Sequence, residues 1–145
     1  MKSLETLSEK LREYFVQRDE IRLVYIFGSI AKGCANKLSD IDIAVFINEG
    51  LIKDYPYGYR AQIITDIMKI LKTNNVDLVV LNKASPFLRF QVLRYSKLIF
   101  CRSELERVKF QIRTFNEYND VKRLIDFYFK ENQKKLRQRS FTDAY

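Results

Sequence analysis

Leu4, Leu7, Leu11 and Phe15 recur every three or four residues through SLETLSEKLREYFVQ (3–17), the spacing of one helical face, and Ser3 stands where an N-cap belongs. RLVYIFG (22–28) is β-branched and aromatic and stops at a glycine, which predicts a strand ending in a turn. Residues 29–39 are small and polar around Gly33 and leave room for a short helix and a loop. IDIAVFI (41–47) predicts a second strand, and the Gly- and Pro-containing stretch 48–59 a loop. A helix over about 59–73 turns Ile63, Ile67, Ile70 and Leu71 inward, and VDLVVLN (76–82) is the third strand. Ser85-Pro86 opens a helix by N-cap and N1 chemistry that runs to about Tyr95, and LIFC (98–101) predicts a short fourth strand.

From Ser103 to about Arg139 the pattern is helical throughout, with Ser103 and Glu106 spaced as a capping box. Val108, Ile112, Phe115, Tyr118, Val121, Ile125 and Tyr128 step along one face, widened by Leu124, Phe127 and Phe129. A straight helix of this length would reach about 55 Å, against roughly 38 Å for a globule of this size. It must bend, with Asn116–Asn119 as the expected place, or project. Its apolar face either packs on the domain or offers a surface to a partner. The order of elements predicts an α/β domain with a small mixed sheet. A core over 1–102 and a helical extension over 103–145 are the expected divisions. No internal repeat or low-complexity linker interrupts them.

Composition changes this picture in one respect: there is no histidine. That excludes histidine triads, histidine zinc ligands and imidazole acid–base chemistry, and leaves carboxylates, hydroxyls, lysines and two thiols. The chain's 145 residues suit one domain with a real core. Cys34 and Cys101 make no disulfide framework, no run approaches a membrane span, and MKSLETLSEK has no signal-peptide core, so a cytoplasmic protein is expected. The net charge of +8 is spread: residues 1–100 carry 15 basic and 11 acidic side chains, residues 101–145 carry 11 and 7. The densest run, KKLRQR (134–139), reads as a solvated helix end, and no direct nucleic-acid binding is expected.

The chemistry concentrates in GSIAKGCANKLSDIDIAVF (28–46). Asp40 and Asp42 would share one face of a strand otherwise made of Ile, Ala, Val and Phe. At about 4 Å two such charges repel by on the order of 1 kcal/mol in water and several-fold more when partly buried. A cation between them removes the conflict. Gly28-Ser29 sits where a strand gives way to a short helix, offering N–H groups and a hydroxyl to a phosphate. Asp77 opens the next strand in an equally apolar setting. Three carboxylates beside a phosphate cradle suit Mg²⁺ and the two-metal logic of phosphoryl or nucleotidyl transfer. The duller readings are loop-capping and surface pairing for Asp40 and Asp42, and a strand-start role for Asp77. Lys32 could approach a triphosphate or simply be solvated, Cys34 lacks a base partner, and Tyr55, Tyr57 and Tyr59 suit loop packing better than stacking on adenine.

G-S followed after ten residues by D-x-D, with a lone Asp on a later strand, resembles the polymerase β-type nucleotidyltransferase superfamily. The SDIDIAV and VDLVVLN…SPFLRFQVLR surroundings are most similar to its minimal nucleotidyltransferase (MNT) proteins, over roughly residues 20–100. The resemblance implies a single polymerase β-like domain and transfer of AMP from ATP to a tyrosine of a HEPN-domain RNase toxin, with this chain as antitoxin. It implies that Gly28 and Ser29 bind phosphate and that Asp40 and Asp42 hold two Mg²⁺ ions. Asp77 would ligate the catalytic ion and help deprotonate the incoming hydroxyl. Complex formation with the toxin is expected too. Ser96 departs from the pattern, since many relatives carry glycine in that turn. Two other functions stay open: a nucleotidyltransferase for a small molecule such as an aminoglycoside, and a module that neutralises its partner sterically.

Overall fold

The computed structural model describes residues 4–31, 33 and 40–143. The N-terminal helix α1 (Leu4–Val16) is followed by β1 (Ile21–Phe27), the one-turn α2 (Gly28–Ala31), β2 (Ile41–Ile47) and α3 (Tyr59–Leu71). Then come β3 (Val76–Val80), α4 (Pro86–Tyr95), β4 (Lys97–Cys101) and α5 (Glu104–Asp143). The four strands form one mixed sheet in the order β3-β2-β1-β4. β1 runs antiparallel to both β2 and β4, whereas β3 lies parallel to β2 at the sheet edge. The expected α/β class and mixed sheet are observed.

Two apolar layers hold the sheet. On one face Leu7, Leu11 and Phe15 of α1 and Ile63, Ile67 and Leu71 of α3 cover Val24, Ile26, Ile43 and Val45. On the other, Val92 of α4 and Phe110 of α5 meet Leu23, Tyr25 and Ala44. Strand β2 keeps strict alternation, with Ile41, Ile43, Val45 and Ile47 all in the first layer. Strand β1 does not: Ile21 and Val24 share that layer although three residues apart. A register shift between Ile21 and Leu23 inserts one residue and resets the faces. Burial against these layers pushes the Tyr25 phenol up to about 12.

Polar side chains finish the strand ends. Asn82 Nδ2 donates to the carbonyl of Ile47 at 2.8 Å, and the Ile47 N–H returns to Asn82 Oδ1 at 3.0 Å, so one amide imitates a strand neighbour. Arg102 reaches the carbonyls of Phe15, Arg18 and Ile21, stapling the end of β4 to the α1–β1 turn. Arg18 donates to Glu20 and Tyr55, and Tyr59 also donates to Glu20, so Tyr55 and Tyr59 pack the loop against the core as expected.

The sequence expectations for element ends hold to one or two residues, except that Leu81–Lys83 leaves β3 as a 3₁₀ turn and α5 runs to Asp143, four residues past the expected end at Arg139. Ser3 lies outside the described residues. The Ser103–Glu106 box is half formed: the Glu106 N–H donates to Ser103 Oγ at 3.3 Å, but the Glu106 carboxylate pairs with Arg22. Ser96 sits at φ −103°, an extended conformation that serine adopts freely, so the backbone there does not require glycine, although the Ser96 hydroxyl is buried without a hydrogen-bond partner among the described residues. The long helix neither breaks nor stops at Asn116–Asn119; α5 is continuous over 40 residues, about 60 Å. Its buried seam is shifted from the expected stripe, since Phe110 and Thr114 are buried while Val108 and Ile112 are exposed. Phe115 and Tyr118 pack on Phe90 of α4, and beyond Asp120 most side chains face solvent.

Phe110 is therefore the peg that seats α5. Phe110→Ala is expected to cost about 3–5 kcal/mol in denaturant unfolding, because the side chain is 1% exposed and its ring lies 4.5 Å from that of Phe46. Phe127→Ala, at a position 65% exposed, should change stability by less than about 0.5 kcal/mol.

Candidate active site

The end of β1 and the starts of β2 and β3 meet at one margin of the sheet. Phe27 pairs with Asp42, and Asp42 pairs with Asp77, so the two acids occupy matched positions on neighbouring strands. Matched positions in a parallel pair direct side chains to the same face. For Asp42 this is the face of Ala44, two residues on, which packs against Val92 and Phe110. Asp40 immediately precedes β2 and is exposed.

Gly28 closes the margin from the other side. It has φ +76°, and a Cβ built on it would lie 2.2 Å from Oδ2 of Asp42. No side chain fits between that backbone and the carboxylate. The glycine is thus demanded twice, by its left-handed conformation and by the close approach. Ser29 follows as the second residue of α2, and its side chain is not among those described. Lys32 and Cys34 likewise fall outside the described residues.

Electrostatics mark the same place. Burial, then the charge of Asp77, then that of Asp40 push the Asp42 carboxyl above the usual carboxylate range. Asp42 feels both other acids, yet among the described residues no three acidic or thiol side chains gather tightly enough to form a closed metal cage. Asp77 explains why. Its Oδ1 accepts from Arg60 Nη2 at 2.7 Å and from the N–H of Leu78 at 2.9 Å, which draws it toward the sheet edge. An all-oxygen donor set, crowded enough to raise one carboxyl and backed by a cradle that a Cβ would fill, fits a hard divalent cation in kind.

A cleft of about 860 Å³ borders β3 from Asp77 to Val80, with Tyr57, Arg60 and Lys83 in its walls. Tyr57 is 92% exposed there, so the loop packing expected of all three tyrosines holds for Tyr55 and Tyr59 but not for Tyr57. Sequence reasoning named Gly28, Ser29, Asp40, Asp42 and Asp77 but missed Arg60, because nothing in a lone arginine's spacing ties it to a strand 17 residues away.

Residues 9–105 match the family described as polymerase beta, nucleotidyltransferase. Among solved structures, the fold is similar to a toxin–antitoxin structure with AMP-PNP at 23% identity and a TM-score of 0.69, covering 87% of this chain and 98% of that one. It is also similar to a complex of a tri-AMPylated HEPN toxin with an MNT antitoxin from Shewanella oneidensis, at 22% identity and a TM-score of 0.66, covering 89% and 98%. A candidate minimal nucleotidyltransferase is 32% identical with a TM-score of 0.54, over 66% of this chain and 95% of that one. No curated protein matches.

The raised Asp42 carboxyl has a definite sign. The folded state holds this proton more tightly than the unfolded chain, so its contribution to stability falls as pH rises through the window between the ordinary aspartate value and the raised one. At neutral pH in EDTA, Asp42→Asn should therefore unfold at a higher temperature than the wild type; an unchanged or lower midpoint would contradict the crowding. Gly28→Ala should instead lose about 1–3 kcal/mol from its backbone conformation alone, read by the same thermal scan.

Proposed function

The chain belongs to the polymerase beta nucleotidyltransferase family, and on that premise we propose that it moves AMP from ATP to a tyrosine hydroxyl of a HEPN-type toxin, neutralising it as an antitoxin. It is a nucleotidyltransferase; the acceptor, the metal and the site roles are our reading. One observation carries it: Asp42 and Asp77 in register on adjacent strands, with Gly28 pressed against Asp42. The likeness to toxin–antitoxin structures, one with an ATP analogue and one with an AMPylated toxin, supports the choice of donor and acceptor.

In this reading Asp40, Asp42 and Asp77 hold two Mg²⁺ ions. Bound there, the ions would offset triphosphate charge and make the attacking hydroxyl easier to deprotonate. The chain's own contribution is positional. Gly28 lets backbone come close to the phosphates, and Ser29 adds a hydroxyl to the cradle. Asp77, half exposed beside the cleft, receives the acceptor hydroxyl and helps take its proton. The tyrosine oxygen then attacks the α-phosphorus, forming a phosphodiester as the bond to the pyrophosphate leaving group breaks. The partner docks on the outer half of α5, where Leu124, Phe127, Tyr128 and Leu136 stand at least 60% exposed. We take 1–102 as the catalytic core and 103–145 as the docking extension. No described helix is long and apolar enough to cross a membrane.

Two experiments test this. Labelled ATP with Mg²⁺, this protein and a HEPN-domain toxin, sought in the neighbouring reading frame, should place adenylyl groups on a toxin tyrosine, and Asp40→Asn, Asp42→Asn or Asp77→Asn should each lower the rate on the order of 10²-fold or more. Near-full transfer by folded Asp42→Asn protein would sink the assignment, as would modification of an aminoglycoside with none of the toxin. Phe127→Glu with Tyr128→Glu should leave stability within about 0.5 kcal/mol yet reduce toxin modification, with ATP binding unchanged.

A further inference from the structure

Arg60 breaks a local rule. It sits in the first turn of α3, where the helix dipole disfavours a cation, and that turn contains no acidic residue to offset it. Gly58 precedes the helix without a side-chain cap, so the helix start gains nothing in compensation. The ion pair with Asp77 does not repay this in stability, for the two side chains are 57% and 52% exposed, and pairs at such exposure contribute little. A residue that is locally unfavourable and only weakly stabilising calls for a functional reason.

Its contacts supply one. Arg60 Nε donates to the carbonyl of Leu78 at 2.8 Å, and Nη2 of the same guanidinium donates to Asp77 Oδ1 at 2.7 Å. Asp77 Oδ1 in turn accepts the Leu78 N–H at 2.9 Å. These three bonds form a closed bracket on the open edge of β3, satisfying both backbone groups of Leu78 that a further strand would otherwise seek. Both bonds to the carboxylate fall on Oδ1, and neither draws on Oδ2. The planar fork fixes the torsion of Asp77 in a way one flexible ammonium could not.

We propose that Arg60 is the positioning residue of Asp77, holding one carboxylate oxygen against the sheet edge so that the other is presented to the reaction at a fixed angle. This rests on the functional reading above for what Asp77 does, but not for where it is held. Arg60 acts through Asp77 and contacts no part of ATP in this role.

The test compares Arg60→Ala and Arg60→Lys with the wild type. Loss of an outer partner of a metal-holding carboxylate should weaken Mn²⁺ binding, followed by calorimetry, and lower the turnover number for AMP transfer, each by about 10–100-fold. The KM for ATP should stay nearly constant. Arg60→Lys should recover part of the turnover, because it restores charge without the fork. The Leu78 amide should exchange with solvent faster in Arg60→Ala while the unfolding midpoint hardly moves. Tighter Mn²⁺ binding by Arg60→Ala would overturn the proposal by making Arg60 a competitor for the cation. A raised KM with unchanged turnover would overturn it by making Arg60 a substrate contact. If the wild type transfers no AMP, the functional reading fails on its own; the positioning claim is then decided by Mn²⁺ affinity and Leu78 exchange, and falls if both match the wild type.

Discussion

Register is the constraint on which the site depends. β2 lies between an antiparallel and a parallel neighbour, and its pairing brings Asp42 opposite both Phe27 and Asp77. A slip of one residue would turn Asp42 into the layer of Ile43, Val45 and Ile67, where an unpaired carboxylate is expensive. The isoleucines that specify the core therefore also specify where the charges fall. Because α1 and α3 cover that layer completely, the register is held by hydrophobic burial, and the acids can repel one another without loosening the strands.

That separation shows why the site tolerates conflict. Asp42 is pushed up by burial and by two like charges, Gly28 adopts a left-handed backbone, and Arg60 stands at the wrong end of a helix dipole. The crowded carboxylate and the arginine each cost a little stability, the turn at Gly28 admits no other residue, and all three lie at one margin of the sheet. Local rules broken together in one place, within a fold that otherwise obeys them, mark a region shaped by function. The opposite signs expected for Asp42→Asn, more stable yet less active, express the same tension.

Much of this was legible in the sequence because two periods dominate it. The alternation IDIAVFI fixes β2 and puts Asp42 on the face away from its isoleucines, and the three-to-four spacing in α1 and α3 names their buried apolar residues, with Leu4 and Ile70 only partly buried and Ser8 not foreseen. What the periods could not carry was anything set by a single inserted residue or a distant partner. The shift between Ile21 and Leu23 swaps the faces of β1 without a glycine or proline to announce it. On α5 so many apolar residues line the helix that periodicity permitted several seams, and the contact of Phe110 with Phe46 chose one. Arg60 was invisible for the same reason: its meaning lies in the Asp77 and Leu78 atoms it reaches, not in its neighbours along the chain.

The outer half of α5 follows from the inner half. Most helical stability in proteins comes from packing, and nucleating a helix is the costly step. Phe110, Thr114, Phe115 and Tyr118 seat the first turns against the sheet and α4, so the remainder propagates from a nucleus already formed. Within the described side chains this outer half carries more basic than acidic groups, and they surround Leu124, Phe127 and Tyr128 with charge. Such a surface stays soluble while keeping large apolar side chains in reach of a partner. The sheet thus contributes twice: its margin gathers the carboxylates, and its second layer anchors the helix from which a partner could be held.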